Sequence, residues 1–68
     1  MGVTWQAGRA WYMAGWKSVA RALESKELVN LVGGLQQAIR QYQLASFPHY
    51  RDYWRGQADA LLSALGAA

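Results

Sequence analysis

The chain has 68 residues and no cysteine, so it forms one small domain at most and holds neither disulfides nor thiolate metal sites. Its hydrophobic share of 53% excludes a disordered tail, yet a chain this short buries only about 60% of its unfolded surface when it folds alone. The net charge of +3 belongs to residues 1–23, where Arg9, Lys17 and Arg21 meet no acid; from Glu24 onward, basic and acidic residues cancel.

The same segment carries Trp5, Trp11 and Trp16, three of the four tryptophans. It reads as a helix from about 4 to 24, with Thr4 as N-cap. At 100° per residue, Trp5, Tyr12, Trp16, Val19 and Leu23 share one face. Ala10, Ala14, Ser18 and Ala22 form a second row at every fourth position, where small side chains let another backbone approach closely. Only a narrow strip with Gln6, Lys17, Arg21 and Glu24 is left for water, with Arg9 at its edge. A helix that is apolar nearly all round is buried nearly all round, so both faces are candidate partner-binding surfaces.

A second helix is expected over about 26–45. Leu28, Leu31, Val32, Leu35, Ile39 and Tyr42 hold one helical phase. Continuing the first helix past Glu24 would carry Lys26 and Glu27 onto its aromatic face, so a break falls at Glu24–Glu27, with Ser25 as N-cap. Gly33 and Gly34 each cost roughly 1 kcal/mol relative to alanine inside a helix. The surviving phase favours a continuous helix over one that ends at Val32 with Gly33 as its C-cap.

Pro48 marks the next boundary, because the residue before proline avoids the helical region and proline suits a first turn. A third helix follows over about 48–66, with Tyr50, Tyr53, Trp54, Ala58, Leu61, Leu62 and Leu65 on its apolar face. The predicted architecture is all-α in a single domain: a hairpin of helices two and three, plus a basic aromatic N-terminal helix, without an autonomous globular core. The hairpin core is assigned to Leu28, Leu31, Leu35, Ile39, Tyr42, Tyr53, Trp54 and Leu61.

No catalytic, cofactor or metal site is expected. His49 is the only histidine and sits at a helix start, where it reads as a solvated or capping residue. Gly33-Gly34 lacks the lysine and preceding strand of a phosphate loop. Nucleic acid binding is disfavoured, because the aromatic third helix is neutral once Asp52 and Asp59 are counted. A basic helix with tryptophans also fits a membrane surface, with Arg9, Lys17 and Arg21 as the lipid or anion contacts. The charges at 9, 17 and 21 interrupt every apolar run long enough to span a bilayer, and no secretory signal pattern is present. The acid-poor start suits a mitochondrial import segment, which would be one retained on the mature protein.

Two short stretches carry resemblances. Trp11-Tyr12-Met13-Ala14-Gly15 is similar in spacing to the opening helix of the epsilon subunit of mitochondrial ATP synthase, with Ser18 where that family has tyrosine. Gly8-Arg9, Trp11-Tyr12-Met13 and Gly15-Trp16-Lys17-Ser18-Val19 are together similar to a run in a small accessory subunit of respiratory NADH dehydrogenase, whose following membrane span this chain lacks. Both are short, and both imply the same setting, a basic small subunit of a respiratory assembly.

The expectation is therefore a non-catalytic accessory subunit of a multi-subunit, membrane-associated complex, leaning mitochondrial. Its N-terminal helix would bind partner helices, with lipid headgroups in reach. A self-assembling virion or filament subunit and a small nucleic-acid-binding module are the alternatives.

Overall fold

The computed structural model describes residues 3–67, with side chains described for residues 9–66. Three helices account for most of it: α1 (Val3–Glu24), α2 (Leu31–Leu44) and α3 (Pro48–Ala67). The expected all-α hairpin of the second and third helices is present.

The first helix stops through its own backbone. Lys26 adopts a left-handed conformation, φ 64°. Its N–H reaches the Leu23 carbonyl at 3.2 Å, and the Glu27 N–H reaches back to Ala22 at 2.9 Å. Those two bonds form a Schellman cap and satisfy carbonyls that the helix end would leave bare. Glycine is the usual residue at such a position, because a Cβ costs roughly 1 kcal/mol or more there. Lys26→Gly is therefore expected to stabilise the fold by about 0.5–1 kcal/mol, read as a higher denaturation midpoint with an unchanged slope.

The second helix starts later than the sequence suggests, and its N-cap is Asn30, not Ser25. The Ser25 hydroxyl is spent at the end of α1, donating to Glu27 Oε1 at 2.7 Å. Asn30 Oδ1 accepts the Gly33 N–H at 2.9 Å, and the Asn30 carbonyl accepts Gly34 N–H at the same distance. Residues 25–30 instead cross the end of the bundle, bringing Leu28 under Gly34 and onto the core. The two glycines lie in the first turn of α2, inside a continuous helix. Pro48 opens α3 as expected, with the Arg51 N–H bonded to the Phe47 carbonyl.

Contacts fix the directions. Trp11 lies beside His49, Tyr50 and Tyr53, while Val19 and Leu23 lie beside Ala60 and Ala64. Residue numbers rise together, so α1 and α3 run parallel. Gly34 meets Leu61 and Tyr42 meets Arg51, so α2 runs antiparallel to α3. Both α1 and α2 pack on α3, and among the described residues they do not approach each other at the backbone level. The third helix is thus the central element.

The buried core is small: Val19, Ala38, Ala60 and Leu61, flanked by Trp16, Leu23, Leu28, Leu31, Leu35, Trp54 and Ala58. Three assignments to the hairpin core need correction. Ile39 remains 43% exposed. With Leu31 and Leu35 turned inward, the position seven residues after Leu31 is Ala38, and Ile39 falls 100° away from it. Tyr53 turns toward α1 instead, and Tyr42 lies half-buried under the Arg51 guanidinium, 5.1 Å from its ring centre.

Candidate interaction site

The contact between α1 and α3 is built on two glycines. A Cβ on Gly15 would strike the Tyr53 carbonyl oxygen and lie 3.1 Å from the Gln57 nitrogen. A Cβ on Gly56 would strike the Tyr12 carbonyl oxygen and lie 3.1 Å from the Trp16 nitrogen. The arrangement is reciprocal. Each glycine receives the carbonyl that lies three residues before the other glycine, at the approach where Cα–H···O contacts form.

Side chains repeat this symmetry. Tyr12 donates its hydroxyl to Asp59 Oδ2 at 2.6 Å, and Tyr53 donates to Ser18 Oγ at 3.4 Å. Each tyrosine therefore reaches a residue three positions beyond the facing glycine. Gln57 Nε2 adds a bond to the Tyr53 oxygen at 3.0 Å. The pattern Tyr-x-x-Gly-x-x-(Ser/Asp) occurs once in each helix, at Tyr12–Ser18 and Tyr53–Asp59. That repeat is the sequence signal for the crossing. Hydrophobic phase alone passes over Gly15 and Gly56, since glycine contributes nothing to it.

The hydrogen bond to Asp59 holds the Tyr12 phenol above its ordinary pKa of 10.0, with desolvation and the Asp59 charge adding to it and Arg55 opposing. The folded state thus keeps this proton more tightly than the unfolded state. Its stabilising contribution is complete below the unfolded pKa and is lost as pH rises through the folded one. Tyr12→Phe is expected to lower stability by about 1 kcal/mol at neutral pH. The difference from the native chain should shrink above the Tyr12 pKa, as measured by denaturant titration across the alkaline range.

Most of the predicted partner-binding residues are occupied within the chain. Val19 is buried, and Tyr12, Trp16, Ser18, Ala22 and Leu23 are half-buried, with Tyr12 and Ser18 bonded to α3. Ala10 and Ala14 remain exposed, as do Arg9, Lys17 and Arg21. The side chain of Trp5 lies outside the described residues. An apolar groove remains open between α1 and α3, with Trp16, Ala20 and Leu23 on one wall and Ala60, Ser63 and Ala64 on the other.

A second feature was not legible in any one segment. Trp11 stacks on His49 with 6.0 Å between centroids, and Tyr50 meets Trp11 edge-on at 5.8 Å. Phe47 extends the cluster, 5.9 Å from Tyr50. Trp11, Tyr50 and Phe47 remain 39%, 51% and 64% exposed. The His49 ring is half-buried in this stack, and its Nδ1 is buried without a hydrogen-bond partner, unlike the solvated or capping residue expected.

Among the described residues no three His, Asp or Glu side chains gather as a metal site, and no helix is long and apolar enough to cross a membrane. The chain matches no family model, no curated protein and no solved structure.

Proposed function

We propose that this chain is a non-catalytic accessory subunit that binds other protein chains of a larger, membrane-associated assembly, with its N-terminal helix forming one wall of the docking site. Surplus exposed surface carries this reading. The folded chain exposes 5071 Å², whereas a compact monomer of 7.6 kDa exposes roughly 4,300 Å². The excess of about 800 Å² is close to the ~800 Å² that each side contributes to a standard protein interface. The groove between α1 and α3 is the docking site, because Ala20, Ala60 and Ala64 allow a partner helix to approach closely beside the Trp16 ring. The basic, acid-free start of the chain and its two short resemblances support a respiratory, mitochondrial setting.

Photo-crosslinking groups at Ala20 and Ser63, both exposed on the groove rim, test the proposal in the cell that makes the protein. Both positions are expected to capture the same foreign chain, in a species much larger than the free protein on a native gel. Crosslinks exclusively between copies, together with a monodisperse homo-oligomer from the isolated chain, would replace the accessory subunit with a self-assembling one.

A further inference from the structure

The packing of α1 on α3 gathers the aspartates of α3 on one flank of the pair. Tyr12 and Asp59 meet on one flank, and Asp52, seven residues earlier on α3, shares the Asp59 stripe. Both aspartates of the third helix therefore lie on that side. On the other flank Tyr53 meets Ser18, and Trp11 meets Tyr50 and Tyr53. Trp11, Ala14, Ser18 and Arg21 follow i, i+3, i+7 and i+10 along this side of α1, with Lys17 at its outer edge. The one acid on α1 is Glu24, three residues beyond Arg21 at the end of the helix and on the same strip, so the cations outnumber it there by two to one.

From this segregation we infer that the flank bearing Trp11, Tyr50, Phe47, Lys17 and Arg21 is a docking face for the headgroup region of an anionic lipid bilayer. The inference rests on the membrane-associated part of the proposed function, and it uses a flank other than the one that holds the Tyr12–Asp59 bond. Three observations select a lipid surface. Exposed Trp, Tyr and Phe side chains stand together, and such rings favour the membrane interface. Exposed Lys17 and Arg21 supply the complementary charge beside them. Ala10 and Ala14 border a shallow apolar hollow next to Trp11, so the face between the cations and the rings is itself apolar. Nucleic acid fits less well, because His49 covers one face of Trp11 and Tyr50 and Tyr53 approach it edge-on, which restricts stacking by a base.

The test is flotation of the full-length protein with phosphatidylcholine vesicles, prepared with and without phosphatidylglycerol. The protein is expected to float only with the anionic vesicles, with a blue shift of tryptophan emission, and to be released by salt. The double reversal Lys17→Glu with Arg21→Glu is expected to bind at least about tenfold more weakly. Tyr50→Ser should weaken binding and reduce the blue shift, and its circular dichroism should remain helical because the residue is exposed. Arg40→Glu, on the exposed side of α2, should have a much smaller effect. Equal flotation with neutral vesicles, no flotation, or indifference to the double reversal would overturn the inference. So would retention of RNA, or self-association, through these residues without flotation. Groove crosslinks to the partner chain that persist while flotation fails would overturn the lipid face alone and leave the accessory-subunit reading standing.

Discussion

Alanine at Gly15 or at Gly56 is expected to destabilise the fold by about 3 kcal/mol, a large effect for the addition of one methyl group. The sign makes the experiment informative. In an uncrowded helix, glycine to alanine gains roughly 1 kcal/mol from helix propensity. Here each new Cβ meets a backbone carbonyl on the facing helix, and a carbonyl cannot rotate aside as a side chain can. The helices must separate, which also stretches the Tyr12–Asp59 and Tyr53–Ser18 bonds. Both glycines serve one contact, so the double variant should cost little more than either single one, a strongly sub-additive cycle. Gly66 is the internal control, since nothing lies within 4 Å of a Cβ placed there. Gly66→Ala should be neutral or mildly stabilising. Denaturant unfolding of the four variants decides the matter; stabilisation at Gly15 or Gly56 would mean that the helices do not touch there.

What the sequence conveyed about this fold depended on how local each determinant is. Pro48 acts on its immediate neighbours, and the start of α3 was legible from it. The break after Glu24 was visible as a phase slip, but its length was not. The Schellman cap at Lys26 depends on backbone bonds between residues several positions apart, and a lysine in the left-handed region carries no sequence mark. Asn30 was eclipsed by Ser25 because both are good caps, and the choice rests on where Leu28 can reach the core. Ala38 displaced Ile39 for a similar reason: the inward face is set by what α3 offers, while phase alone tolerates a shift of one position. The aromatic flank needed the tertiary fold, since Trp11 is distant in sequence from Phe47, His49 and Tyr50. The first helix is apolar nearly all round, with two faces to cover. Packing on α3 supplies one of them, through Tyr12, Gly15 and Val19. The groove beside Trp16 and the Trp11 flank are the surface that α3 leaves uncovered.

The second large effect is expected at Leu61, which joins the two halves of the structure. It is 2% exposed, the one large side chain fully buried among the described residues, and its methyl groups lie against Gly34 at the start of α2. Truncating it leaves a cavity between α2 and α3 that helices with so little other buried contact cannot close, so Leu61→Ala is expected to cost about 2–5 kcal/mol. Leu62, next in sequence but 54% exposed, should lose well under 1 kcal/mol on the same change. Small domains of this size rarely draw more than about 3–5 kcal/mol from their core. The isolated Leu61→Ala chain should therefore lose cooperative unfolding by calorimetry while Leu62→Ala retains it. Binding to a partner at one hundred times the dissociation constant returns about 2.7 kcal/mol to the folded state. Under the proposed accessory-subunit reading, the Leu61→Ala chain should consequently accumulate only where a partner chain is co-expressed. A cooperative transition at nearly native temperature would instead place the stability of this chain in the α1–α3 crossing, with α2 an appendage to it.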